Sequence, residues 1–87
     1  MPSSPAPPEV PVVMPELGLD AVRVSAWFAE PGDVVYEGDR IVEVSGGGAT
    51  FDVAAPATGR LASQLVLPRD QLQSGQVLGY VAAQEAV

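Results

Sequence analysis

From Val10 onward, apolar and polar residues alternate over short stretches interrupted by clusters of Gly, Pro, Asp and Glu. This period-two pattern predicts strands joined by tight turns. Residues 10–14 predict a strand, and Pro11 assigns it to a sheet edge because proline has no N–H to give to a neighbour. Residues 15–20 form a loop. Val22, Val24, Ala26 and Phe28 alternate with Arg23, Ser25 and Trp27 in a half-buried strand. Turns fall at residues 30–33, where Pro31 and Gly32 suit the central positions, and at residues 37–39. Strands follow over residues 41–44 and 49–53, with residues 45–48 as the hairpin turn between them. Residues 56–59 are a crossing turn, 60–67 a strand, 68–70 a turn and 77–82 the last strand. Residues 1–9 hold four prolines and too little apolar surface to fold, which predicts a solvated tail. Residues 84–87 form a second short tail, leaving residues 10–83 as the domain.

The chain also repeats itself. Sliding the sequence by 37 residues lays Val24-Ser25-Ala26-Trp27-Phe28 on Leu61-Ala62-Ser63-Gln64-Leu65. Pro31 falls on Pro68, Asp33 on Asp70, Gly38 on Gly75 and Val44 on Val81, while Val35 meets Leu72 and Ile41 meets Leu78. Two similar half-sheets, each strand–turn–strand, would bury their apolar faces against each other about a pseudo-twofold axis. At this offset the 45–48 hairpin falls just beyond Val81, so one end of the molecule carries a hairpin tip and the other the chain ends. The inward faces predict Val24, Phe28, Val35, Val44, Val53, Leu61, Leu65, Leu72 and Val81 in the core.

Composition agrees with strands. Of 87 residues, 14 are Val and 12 Ala, with nine Gly and nine Pro, which leaves little room for long helices. The net charge of −7 comes with four Arg and no Lys, so a basic patch for nucleic acid or an anionic membrane is not expected. The absence of Cys and His removes disulfides, thiol catalysis, Ser-His-Asp triads and zinc-finger sites. No apolar run is long enough for a transmembrane helix, and no signal peptide is visible.

Candidate chemistry is sparse. Glu30, Asp33, Glu37 and Asp39 cluster around two turns, but they lack the alternating ligand spacing of a calcium loop, so no metal site is expected. An acid–base pair would need a cleft that a domain of 87 residues cannot enclose; a turn-forming role suits these residues better. Ser45, Thr50, Thr58 and Tyr36 have no His, Lys or Cys to activate them. Trp27 aligns with Gln64 in the repeat, which predicts a partly covered ring packed on the tail or a neighbouring strand, or else an exposed partner anchor. Gly46, Gly47 and Gly48 suit a turn that needs positive φ.

Five segments together resemble the lipoyl/biotinyl attachment domain family. Val13-Met14-Pro15-Glu16-Leu17-Gly18 is similar to its opening strand and loop, and Trp27 through Asp33 to its tryptophan strand and acidic turn. Tyr36-Glu37-Gly38-Asp39 with Ile41-Val42-Glu43-Val44 resembles the approach to the modified hairpin. Ala55-Pro56-Ala57-Thr58-Gly59 resembles the crossing between halves, and Gly75-Gln76-Val77-Leu78 the closing strand. The resemblance implies an all-β, lipoyl-like flattened barrel, a barrel-sandwich hybrid of two four-stranded sheets with pseudo-twofold symmetry.

In this family a lysine at the hairpin tip carries lipoate or biotin. Here its position aligns with Gly48 and the usual preceding Asp with Gly47. The sequence holds no lysine at all, so neither cofactor is expected. The resemblance further implies that the tip and the preceding loop face partner enzymes. Glu16, Leu17, Gly18, Leu19, Asp20, Ser45, Gly47, Gly48 and Ala49 are the partner-recognition candidates. The resulting expectation is a non-catalytic, cytoplasmic docking or assembly module. Its partner would be a subunit of a 2-oxoacid dehydrogenase or related acyltransferase-type complex. A carrier domain whose lysine was lost or replaced, and a stand-alone structural barrel, are the alternatives. The half-barrel also resembles the lipoyl-like part of membrane-fusion adaptors, which carry a long helical hairpin where only four residues stand here.

Overall fold

A computed structural model describes residues 6–84; the outer parts of both expected tails lie outside the described residues. Eight strands follow one another: β1 (Glu9–Val13), β2 (Val22–Trp27), β3 (Val34–Val35), β4 (Arg40–Gly46), β5 (Ala49–Ala54), β6 (Gly59–Gln64), β7 (Gln71–Leu72) and β8 (Val77–Ala83). They form two four-stranded antiparallel sheets, ordered β1-β8-β6-β3 and β5-β4-β2-β7. β1 stands at an edge, as Pro11 requires.

The 37-residue offset carries β2, β3 and β4 onto β6, β7 and β8 residue for residue, and it maps one sheet order onto the other. The turns repeat as well. Asp33 Oδ2 accepts from the Glu30 N–H at 2.8 Å, and Asp70 Oδ2 from the Leu67 N–H at 2.9 Å. Asp39 and Gln76 do the same for Tyr36 and Gln73. Arg23 donates to the Arg69 carbonyl and Arg60 to that of Gly32, each at 2.8 Å. The acidic cluster around the two turns thus includes Asp33 and Asp39 as turn-formers, the role expected of them.

The halves clasp each other at the waist. Trp27 Nε1 donates to the Val66 carbonyl at 2.9 Å, and its repeat mate Gln64 donates to the Ala29 carbonyl at 2.8 Å. Trp27 is partly buried against the core. It packs on the segment after β6, so the partly covered reading holds and the exposed-anchor reading does not.

The core holds Val12, Met14, Val22, Val24, Ala29, Val35, Ile41, Val42, Val44, Val53, Ala55, Leu61, Val66, Leu72, Leu78 and Val81. Two expected members are absent from it. Phe28 is 44% exposed and Leu65 56% exposed. The cause is a β-bulge at the same point of each half, between Val24 and Ala26 and between Leu61 and Ser63. The extra residue inverts the alternation, so Val22 and Val24 are followed inward by Trp27 and Ala29, and Leu61 by Gln64 and Val66. Phe28 instead lies outside, with the Arg40 guanidinium 4.6 Å from its ring centroid. A second pair of register shifts leaves Ile41 and Leu78 unpaired opposite β5 and β1. Ile41 and Val42 are therefore buried in succession.

The short strands β3 and β7 lie where the alternation gave none, since two residues are too few to show a period, and several bounds also differ from the strand pattern. β1 begins at Glu9 and stops before Met14, β6 ends at Gln64 rather than 67, and β4 continues through Ser45 and Gly46. The hairpin turn is accordingly two residues long.

Candidate functional site

The pseudo-twofold locates the site by where it fails. The connection from β5 to β6, residues 55–58, is four residues, whereas its counterpart from β1 to β2, residues 14–21, is eight. The β4–β5 hairpin is closed by a turn, whereas the equivalent β8 and β1 lie side by side with the Ala83 N–H donating to the Pro8 carbonyl. Both departures, the long loop and the closed turn, meet at one end of the molecule.

The turn consists of Gly47 at φ 58° and Gly48 at φ 79°, between the paired residues Gly46 and Ala49. Two successive left-handed residues are the signature of a type I′ turn, whose twist matches that of the flanking strands, and glycine meets the requirement without strain. Gly46 is constrained differently. A Cβ there would sit 3.0 Å from Val22 Cγ2, so the absence of a side chain lets the hairpin lie close on the start of β2. Ser45 pairs across the strands with Thr50 on one side and Arg23 on the other.

The 16–20 loop is braced internally and against the tip. Glu16 Oε1 accepts the Gly18 N–H at 2.8 Å. That bond, and a second from Ser74, hold the Glu16 carboxyl below the usual carboxylate range. Leu19, 38% exposed, reaches over the face of Gly47. Ala21 then enters β2 with φ 56°, a left-handed conformation that is strained for a residue with a Cβ. Beneath the loop runs a cleft of about 250 Å³ lined by Met14, Leu17, Leu19, Ala21, Leu72 and Ser74 among others. A shallow concavity on the other flank is lined by Arg23, Ser45, Gly48, Ala49 and Thr50. It has a repeat-related counterpart at the far end around Arg60, Ala82 and Ala83, so it belongs to the fold rather than to a particular task.

The structure thus brings the candidates Leu19, Ser45, Gly46, Gly47, Gly48 and Ala49 to one end. Glu16, Leu17, Gly18 and Asp20 lie along the adjoining loop and cleft. Sequence reasoning missed Ala21, Arg23 and the 71–74 segment. The repeat held the signal for the last: β3 and β7 are mates, and β7 pairs with the start of β2 beside the loop. Chemically this end offers backbone amides, small side chains and a cleft of mixed lining, in which Met14, Leu17 and Leu72 stand beside Asp20, Gln71 and Gln73. Among the described residues, no group of three or more Asp or Glu is placed to hold a metal ion.

The family described as biotin-requiring enzyme, the biotin/lipoyl family, matches residues 10–81, nearly the whole of the eight strands. The chain belongs to this family. A curated relative, the dihydrolipoyllysine-residue acetyltransferase component of an acetoin cleaving system from Pseudomonas putida, is 34% identical over 77 residues. The match covers 86% of this chain but 21% of that protein, so the chain spans about a fifth of the relative's length. Among solved structures, the lipoyl domain of the 2-oxoglutarate dehydrogenase complex from Azotobacter vinelandii matches with a TM-score of 0.61 at 26% identity. That match covers 88% of this chain and 95% of the other. This biotin/lipoyl domain therefore has the two-sheet fold of a lipoyl domain, with its own tip built from glycine where the family resemblance implies lysine.

Proposed function

We propose that this domain carries no prosthetic group and serves as a docking or assembly module in an acyltransferase-type multienzyme complex of the cytoplasm. The observation that supports the reading is that the two ends related by the pseudo-twofold differ, the long loop and the closed hairpin meeting at one of them, while the sequence offers no lysine side chain for an amide-linked cofactor. Lipoate and biotin attach through a primary amine. The Gly47-Gly48 turn supplies backbone alone. What remains at this end is a shape: a two-residue turn, Leu19 over it and a cleft of mixed polar and apolar lining beside it. The non-catalytic part of the proposal is supported by the lack of any His, Lys or Cys in the sequence to activate Ser45 or Thr50.

The relative's place in an acetoin cleaving system, and the neighbour's in a 2-oxoglutarate dehydrogenase complex, favour a partner among the subunits of such assemblies. Two measurements test the proposal. The mass of the domain purified from its native host should equal the sequence mass, with allowance for loss of Met1; an addition matching lipoate or biotin would overturn the cofactor-free reading. The domain should also co-elute with purified subunits of a 2-oxoacid or acetoin dehydrogenase complex, and Leu19→Asp should abolish co-elution while the domain still unfolds cooperatively from a folded state. Absence of co-elution with all such subunits would leave the structural barrel.

A second reading is favoured by the intact hairpin. Pairing runs without interruption from Val42↔Val53 to Gly46↔Ala49, the frame an attachment residue would need. On this reading the domain is a carrier whose lysine was replaced, and Gly48→Lys should gain the lipoyl mass when incubated with lipoate, ATP and a lipoate ligase. The amide would form between the new amine and the lipoate carboxyl, with ATP cleaved to AMP and pyrophosphate.

A further inference from the structure

The packing of the loop on the hairpin gives Leu19 a role that neither the repeat nor the comparisons indicate. A Cβ at position 47 would lie 3.3 Å from Leu19 Cδ2 and 3.7 Å from Cδ1. A Cβ at position 48 would meet nothing within 4 Å. The two turn residues share a left-handed backbone, at φ 58° and 79°, so backbone strain does not distinguish them; Leu19 does. Leu19 is also held in place from both sides. Gly18, at φ 68°, is pinned by the Glu16 carboxylate, and Ala21 at φ 56° redirects the chain into β2.

We propose that Leu19 is the positioning residue of this end. It fills the space that a side chain at position 47 would need, joins loop and tip into one surface, and so decides what the tip accepts. Its functional weight rests on the reading of this end as the docking surface; the packing itself does not. One consequence runs against expectation from the family pattern. Asp is among the few residues that tolerate the left-handed region, so the backbone alone would admit the usual Asp at position 47. Leu19, whose Cδ2 would lie 3.3 Å from that Cβ, is the side chain that would have to give way.

The test compares Gly47→Asn with Gly48→Asn, each with Leu19 present and with Leu19→Ala. Asn suits the backbone at both sites, which keeps all four variants folded. With Leu19 present, Gly47→Asn should shift the Leu19 methyl resonances and speed amide hydrogen exchange across residues 16–21 by about twofold or more, the lower end of coupling between touching residues. Gly48→Asn should do neither. In the Leu19→Ala background the two Asn variants should become equivalent in melting temperature. Identical behaviour of the two sites while Leu19 is present would overturn the proposal. A second arm uses the Gly48→Lys variant with lipoate, ATP and a lipoate ligase. Adding Gly47→Asp should raise the rate of modification more in the Leu19→Ala background than in its absence, and an equal rise in both would also overturn the proposal. If no variant gains the lipoyl mass, the carrier reading fails and the resonance and exchange measurements still decide the role of Leu19.

Discussion

At the scale of single residues, burial and close approach separate positions that look alike in sequence. Ile41 and Leu78 are repeat mates at 1% and 0% exposure. We predict that Ile41→Ala or Leu78→Ala costs about 2–5 kcal/mol, the loss of a buried aliphatic chain plus the cavity it leaves. Phe28→Ala, despite the larger side chain, should cost about 1 kcal/mol or less, because it removes a half-exposed ring and its cation–π contact with Arg40. Thermal unfolding of the three variants checks the order, and a Phe28 loss as large as that of Ile41 would contradict the inverted strand phase. Gly59 shows the opposite constraint: a Cβ there would fall 1.9 Å from the Ala82 carbonyl oxygen. Gly59→Ala should therefore destabilise by about 1–3 kcal/mol or more through overpacking, although it merely adds a methyl group. Glu16 adds a pH dependence. Its carboxyl sits below the usual range in the folded chain, chiefly through the Gly18 N–H and then Ser74. Its contribution to stability is thus present above the ordinary glutamate range and is lost as pH falls through the lowered folded value. Glu16→Gln should flatten that part of the pH–stability curve, and a slope identical in both proteins would show that the brace carries no stability.

At the scale of elements, turn chemistry was legible and strand phase was not. Pro31, Asp33, Pro68 and Asp70 announce their turns because each turn needs a fixed φ or a side-chain acceptor, and those needs choose the residue type. A bulge leaves no such mark. Ser25 and Ala62 are ordinary strand residues, yet each adds one position to its strand and turns the next side chain outward. Strict alternation therefore placed Phe28 and Leu65 in the core, when the inward positions beyond the bulge are Trp27 with Ala29 and Gln64 with Val66. The same duplication makes a prediction about elements. Asp33 and Asp70 accept from equivalent N–H groups at 2.8 and 2.9 Å. Asp33→Ala and Asp70→Ala should each cost roughly 0.5–1.5 kcal/mol, the net worth of an exposed side-chain hydrogen bond. The two turns lie in different halves and share no partner, so the double variant should lose the sum within about 0.5 kcal/mol. Denaturant unfolding measures all three. A strongly unequal pair would mean that the halves, alike in geometry, differ in how much each turn sustains.

At the scale of the whole molecule, two copies of one unit explain the architecture, each lending its short strand, β3 or β7, to the sheet of the other; the repeat made the duplication legible in the sequence but not this exchange. The end where the symmetry fails was only partly legible. The Gly-rich tip pointed to a turn, but the contact of Leu19 with Gly47 and the strained entry at Ala21 depend on how the 14–21 connection folds back, which no local spacing encodes. The symmetry yields one further prediction. At the far end, β8 and β1 are already disposed as a hairpin that lacks its turn: Glu9 pairs with Ala82, and the Ala83 N–H meets the Pro8 carbonyl, just as Gly46 pairs with Ala49 at the tip. Joining Ala83 to residue 8 through Asn-Gly, with Pro8→Ala to supply the N–H that closes the turn, would provide the missing type I′ turn. Opening the chain between Gly47 and Gly48 would then exchange the two ends of the molecule while leaving every strand pair in place. Such a permuted chain should fold cooperatively, with strand amides as protected from hydrogen exchange as in the parent. Its melting temperature should fall modestly, because β4 and β5 lose a closed turn and gain free ends, whereas β8 and β1 gain one. Loss of protection confined to β4 and β5 would show that the hairpin holds the fold together as well as presenting its tip. Protection kept throughout would show that the two halves stand on their own packing, which leaves the tip free of any structural duty beyond the surface it shares with Leu19.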